Sequence, residues 1–307
     1  MGVSGSPRVE LADVRARALG AMLGLAVGDA LGATVEFLTP SEIHAKYGVH
    51  CKMIGGGWLQ LKPGGVTDDT EMSRCIARSL AGGTWSPRDV AERFAAWFRT
   101  GPVDVGNTCR RGIARYINHG TLAGLPNEGD AGNGAAMRMT PVALATLGDC
   151  ERLRQWSVEQ GHITHHHPLS DQACVLVGQL IQLGCASRPK EFMRAKVERT
   201  LADAPKFRFT PYHGLSTAYV VDTMQTVLHF FFTTGSFEDC LVATVNQGGD
   251  ADTTGAIVGA IAGAHYGPSA IPSRWTRKLK PALLAVCDTY RTRVAVNQPL
   301  LARHNAL

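Results

Sequence analysis

Two short acidic strings in this 307-residue chain carry side chains suited to gripping hard cations: Thr67-Asp68-Asp69 and Asp250-Ala251-Asp252-Thr253. Mg²⁺ and Mn²⁺ take several oxygen ligands, and carboxylates supply the charge that displaces their water. A threonine hydroxyl beside an aspartate adds a neutral oxygen. Together with Glu36, these residues offer enough oxygens for two divalent cations and a bridging acid. Such a dinuclear centre lowers the pKa of bound water and polarises a substrate oxygen, which is hydrolase chemistry. Each string alone also reads as a helix cap, with Asp68 at the N-cap and Glu71 three positions on. The pair shifts the balance, because carboxylates gathered without cations repel one another.

Elements far apart in sequence must bring the strings together. Gly20, Gly24, Gly28 and Gly32 recur every four residues in one apolar stretch, and Gly255, Gly259, Gly263 and Gly267 do so in another. A glycine inside a helix costs roughly 1 kcal/mol relative to alanine, so close backbone approach must repay the ladders. A membrane dimerisation stripe is the rival reading, but Asp29 and Glu36 interrupt the first stretch, and Asp252 and His265 bracket a short second one. Two buried helices packed antiparallel would set Glu36 beside Asp250, Asp252 and Thr253.

Helical spacing continues along the chain, roughly over 12–36, 69–82, 87–99, 107–118, 139–147, 151–160, 169–186, 189–202, 214–233, 237–245, 252–266 and 275–293. Connections are rich in Gly, Pro and Asn, with few strand signals and no linker. An all-α fold in a single domain, 1–307, is expected. Hydrophobic residues at 45% supply a sizeable core. The formal charge of +5 is mild, and the basic run Arg274 to Lys280 lacks interleaved aromatics, which argues against nucleic acid. Eight cysteines are scattered with no C-x-x-C pair, which suits reduced thiols in the cytoplasm. Neither a secretory leader nor a membrane span is visible; Met1 to Ser6 fits only a loose myristoylation pattern. The run His162 to His167 lacks a zinc-ligand spacing.

With these motifs read, the sequence resembles the ADP-ribosylglycohydrolase family. The matching strings are Gly28-Asp29-Ala30-Leu31-Gly32 with Glu36, Thr67-Asp68-Asp69-Thr70, Asp104-Val105-Gly106-Asn107, Gly132-Asn133-Gly134-Ala135-Ala136-Met137-Arg138, Thr164-His165, and Asn246 to Thr253. Each is short; six in family order are specific, and they span Gly20 to about Gly267. The segment Gly55 to Val66 is similar to the branch acting on dinitrogenase reductase, the nitrogenase iron protein.

The resemblance implies an all-α fold with two divalent cations, Mn²⁺ first and Mg²⁺ second. The implied reaction removes ADP-ribose from a modified arginine of dinitrogenase reductase. It also implies control by a PII-type signalling protein and a membrane ammonium channel, hence reversible peripheral membrane association through a partner. By motif, Thr67, Asp68, Asp69, Asp250, Asp252 and Thr253 become metal ligands, and Glu36 a ligand or proton acceptor. Asp104 becomes the substrate-side acid, and with Glu36 a candidate for proton transfer. Gly106, Asn107, Asn133 and Gly134 would line the ADP-ribose site, with backbone N–H groups approaching phosphate. His165 and Tyr212 would touch the distal ribose or adenine. Rival readings are hydrolysis of a serine linkage or of O-acetyl-ADP-ribose, and a non-catalytic ADP-ribose-binding or structural relative.

Overall fold

Alanine, leucine and glycine at helical spacing give thirteen α-helices among the residues that the computed structural model describes, namely 10–281, 283–285 and 287. In chain order these are α1 Leu11–Gly32, α2 Pro40–Tyr47, α3 Asp68–Leu80, α4 Pro87–Arg99, α5 Asn107–His119, α6 Thr140–Ala145 and α7 Cys150–His162. They continue as α8 Pro168–Cys185, α9 Lys190–Asp203, α10 Val220–Thr233, α11 Phe237–Val245, α12 Ala251–Tyr266 and α13 Ser273–Thr276. Two isolated bridges, Gly56 with Leu61 and Gly132 with Tyr219, are the β-type pairings among the described residues.

The glycine ladders form the axis. A Cβ on Gly20 would lie 2.2 Å from the Gly263 carbonyl oxygen, one on Gly24 2.0 Å from that of Gly259, and one on Gly28 1.9 Å from that of Gly255. The pairing is antiparallel, as expected. No side chain larger than hydrogen fits between the two backbones. The last rungs differ from the sequence reading: Gly32 packs on Ala251, with 2.1 Å to its carbonyl oxygen, whereas Gly267 faces open space at φ +83° and ends α12. Both helices are apolar on nearly every face because other helices wrap them: α8, α10 and α11 pack on α12, and α3 and α6 on α1. The buried apolar side chains join in one continuous cluster.

The structure differs from the sequence expectation at four places. The first helix stops at Gly32, and 33–37 form a turn that carries Glu36. The helix α2 was overlooked, although Thr39 and Glu42 form a reciprocal capping box with Pro40 at the first position. Residues 214–219 are a loop ahead of α10. The helix expected over 275–293 is interrupted after α13, and its far end lies outside the described residues, as does the myristoylation pattern at Met1.

Candidate metal centre

Packing of α1 against α12 delivers the end of one helix to the start of the other. The Phe37 N–H donates to the Gly249 carbonyl at 2.7 Å, and the Gly249 N–H returns to Leu38 at 2.9 Å. This clip holds the Glu36 turn against the Asp250 loop. Three helix N-termini then converge: α3 begins at Asp68, α12 at Ala251, and α5 at Asn107 just after Asp104. Their dipoles favour negative charge at this point.

The two acidic strings meet. Asp69 Oδ2 accepts from Thr67 Oγ1 at 3.0 Å and from Thr253 Oγ1 at 3.3 Å. Asp68 Oδ2 accepts from the Gly106 N–H at 3.0 Å, and Asp104 is a neighbouring charge. Asp250 Oδ2 accepts from Asn133 Nδ2 at 2.6 Å, and Asp252 and Thr253 interact with the same carboxylate. Glu36, Asp104 and Asp252 each present an oxygen, all within 4.8 Å of one another. Thus Glu36, Thr67, Asp68, Asp69, Asp104, Asp250, Asp252 and Thr253 occupy one buried centre.

Burial, and then mutual repulsion, hold these acids above the usual carboxylate range. Glu36 is pushed up to about 8 by burial and by Asp250, Asp104 and Asp68, against a hydrogen bond from Trp58. Asp68 rises to about 7 through burial and Asp104. Asp69 and Asp252 rise well above the usual range, burial again first, followed by Asp29 and Asp69 respectively. Asp104 and Asp250 are raised by burial, which for Asp104 is reinforced by Asp250. A divalent cation would reverse this balance. The donor set fits one: the gathered side-chain groups are carboxylates and threonine hydroxyls, and Asp69 Oδ1 is buried without a hydrogen-bond donor.

The capping alternative for the first string is not realised. Thr67 is the residue before α3, no side chain caps the helix, and Glu71 accepts from Trp97 Nε1 at 2.6 Å.

The residues expected to line an ADP-ribose pocket have these surroundings. The Gly106 N–H is committed to Asp68, while Asn107 stands exposed at the start of α5. Asn133 Nδ2 donates to Asp250 Oδ2 at 2.6 Å and to Thr223 Oγ1 at 2.9 Å, so its amide orients a carboxylate. Gly134 is required by packing: a Cβ there would lie 2.8 Å from His165 Cε1 and 2.9 Å from Cys109 Sγ. His165 is buried beneath that loop. Arg138 Nη2 donates to Thr164 Oγ1 at 2.8 Å, and that hydroxyl pairs with His165 Nδ1 at 2.7 Å. Burial, and then the Arg138 and Arg111 charges, hold its imidazole well below the usual value. Tyr212 is not brought to the centre: it stacks on His229 at 4.2 Å and bonds Thr226 Oγ1 at 3.0 Å, anchoring the loop before α10.

Two contributors escaped the sequence reading. Asp29, fully buried in α1, accepts from the backbone N–H and hydroxyl of both Thr67 and Thr70. It ties the start of α3 to the glycine axis. The signal was present, since an acid inside an apolar glycine ladder needs buried donors. Trp58 Nε1 donates to Glu36 Oε2 at 2.6 Å, a contact between loops that no spacing rule reveals.

Comparisons with known proteins identify the family and the fold. The family model described as ADP-ribosylglycohydrolase matches residues 10–302. An ADP-ribosyl-[dinitrogen reductase] glycohydrolase of Rhodospirillum rubrum is 58% identical over 87% of this chain and 91% of its own. An ADP-ribosylarginine hydrolase of Serratia proteamaculans is 34% identical over 86% of this chain and 75% of its own. Among solved structures, an ADP-ribosylglycohydrolase-related protein complex superposes with a TM-score of 0.80 at 33% identity, covering 91% of this chain and 98% of that one.

Proposed function

The chain belongs to the ADP-ribosylglycohydrolase family, and from that premise we propose that it hydrolyses the bond joining ADP-ribose to a modified arginine of dinitrogenase reductase, thereby reactivating that protein. The observation that carries the proposal is the convergence of Glu36, Asp68, Asp69, Asp104, Asp250 and Asp252 on one buried, oxygen-lined centre.

In this reading Thr67, Asp68, Asp69, Asp250, Asp252 and Thr253 hold two divalent cations, Mn²⁺ before Mg²⁺, with Glu36 beside them. When bound, the cations supply Lewis acidity toward water and ribose oxygens. The chain supplies the remaining chemistry. As the bond between C1″ and the guanidino nitrogen breaks, a new bond forms from C1″ to a water oxygen. The water proton passes to a carboxylate, and the departing guanidine takes up a proton. Glu36 and Asp104 face the same small volume and are the groups proposed to carry these protons. Gly106, Asn107 and the Asn133–Gly134 loop border the space proposed for ADP-ribose, chiefly as shape. His165 supports that loop from below.

The proposal takes 1–307 as one domain, supported by the continuous core. No described helix is long and apolar enough to cross a membrane. A cytoplasmic location rests on the scattered cysteine pattern. Regulation by a PII-type protein, with recruitment to a membrane ammonium channel, rests on family resemblance; pull-down with a PII-type protein tests it. Release of ADP-ribose from arginine-linked and serine-linked substrates in Mn²⁺ tests the linkage, and turnover of the serine linkage alone would overturn it.

A further inference from the structure

Eight large hydrophobic side chains stand exposed among the described residues. Five of them stand beside residues of the acidic centre, along the chain or through its bonds: Phe37 at 64%, Trp58 at 53%, Val103 at 64%, Leu215 at 53% and Tyr219 at 40% exposure. Each adjoins a group that builds the acidic centre. Phe37 follows Glu36, and its ring lies 5.5 Å from that of Trp58, which bonds Glu36. Val103 precedes Asp104 in the chain. Leu215 precedes Ser216, whose carbonyl accepts the Asp250 N–H at 2.8 Å. Tyr219 pairs with Gly132, and the neighbouring Ala218 carbonyl accepts the Asn133 N–H at 3.1 Å.

Single exposed apolar residues are ordinary, but a group surrounding a polar centre marks a surface that a partner covers. The fold also holds part of this group against its own preference. Phe37 sits at φ +64°, a left-handed conformation that a bulky residue disfavours, and the Phe37–Gly249 and Gly249–Leu38 backbone bonds fix it there. Gly57, at φ +68°, would bring a Cβ to 2.2 Å from the Ala33 carbonyl oxygen, so only glycine lets the Trp58 turn close on the end of α1.

We infer that these five residues form an apolar collar that docks the folded protein bearing the ADP-ribosylated side chain. The inference rests on the activity proposed above. The carboxylates are buried, and the bond to be cleaved lies at the tip of an arginine side chain anchored in a folded surface. The protein surface around that arginine must therefore press on the rim. An apolar rim suits that contact, because it excludes water around the reacting bond. Free ADP-ribosyl-arginine brings no such surface. The rings of Phe37, Trp58 and Tyr219 could also stack on a base. Val103 and Leu215 have no ring, so their exposure has no account in nucleotide stacking.

Those two residues give the test. Val103→Glu and Leu215→Glu, singly and combined, are assayed on ADP-ribosylated dinitrogenase reductase and on ADP-ribosyl-arginine. Both sites are exposed, so folding should change little. The combined variant should lose about tenfold or more in kcat/KM on the protein, mainly through KM, while staying within about twofold on ADP-ribosyl-arginine. An equal loss on both substrates would overturn the collar in favour of nucleotide contacts, and no loss on the protein would overturn docking altogether. Binding of the ADP-ribosylated protein, measured in EDTA, separates the two claims. Binding that remains sensitive to Val103 and Leu215 without hydrolysis by the unsubstituted chain would count against the activity alone.

Discussion

The indole Nε1 of Trp58 donates to Glu36 Oε2 at 2.6 Å, so a half-exposed aromatic side chain governs the direction of a buried acid. A hydrogen bond to a charged group is worth about 1.5–3 kcal/mol. Trp58→Phe keeps a ring and removes the donor. It should lower kcat on ADP-ribosyl-arginine about tenfold or more and alter KM less. An unchanged kcat would show that Glu36 does not depend on this bond.

Asp29 makes no approach to substrate in the proposed reading, yet both its oxygens accept from Thr67 and Thr70. Burial pushes its carboxyl up to about 7, and the four donors oppose that rise. Since both oxygens only accept, the ionised form fits the cage better than the acid. Asp29→Asn turns an NH₂ toward fixed donors. It should cost about 2–3 kcal/mol of stability and disturb Asp68 and Asp69 with it. Urea unfolding together with a Mn²⁺ titration reads both effects; a variant with normal stability and normal metal affinity would remove Asp29 from the architecture.

The glycine axis makes a sharper structural prediction. At Gly24 a Cβ would meet the Gly259 oxygen at 2.0 Å, whereas at Gly235 nothing lies within 4 Å. Gly24→Ala should destabilise the protein by about 2–4 kcal/mol because backbone, not a flexible side chain, must yield. Gly235→Ala should stay within about 0.5 kcal/mol. Equal effects in urea unfolding would refute close packing as the reason for the ladder.

These particulars show what the residue pattern could and could not convey. The ladders exposed the α1–α12 pairing because glycine at helical spacing has a cost that only close approach repays. They therefore also placed Glu36 near Asp250 and Asp252. Gly267 was misassigned because a glycine ending a helix falls on the same spacing as one inside it. The roles of Gly106 and Asn133 were not legible: their N–H groups turn toward Asp68 and Asp250, which depends on how loops fold in space. Trp58 was hidden for the same reason. Tyr212 is suited to stacking by residue type, and in the fold its ring stacks on His229. Asp29 and the Thr39–Glu42 box were readable and were missed.

His265 offers a pH prediction away from the acidic centre. Burial, with the Lys190 and Arg17 charges, holds its imidazole down at about 4, below the usual value of 6.5. The unfolded chain therefore binds a proton that the folded chain refuses between those values. Its contribution to stability is complete above about pH 6.5 and is lost as pH falls toward 4. Allowing for partial solvent screening, the loss should be about 1–2 kcal/mol. Comparing urea unfolding of wild type and His265→Gln at pH 7.5 and pH 5 isolates the effect. Parallel pH dependences in the two proteins would contradict it.

The most direct test is ADP-ribose release from ADP-ribosylated dinitrogenase reductase, measured with Mn²⁺, with EDTA, and for Asp68→Ala and Asp252→Ala. The expected result is release in Mn²⁺, loss in EDTA, and a fall of about a thousandfold or more in either variant, with helical content retained. Undiminished release in EDTA and in both variants would contradict a metal-dependent hydrolase built on these two acidic strings.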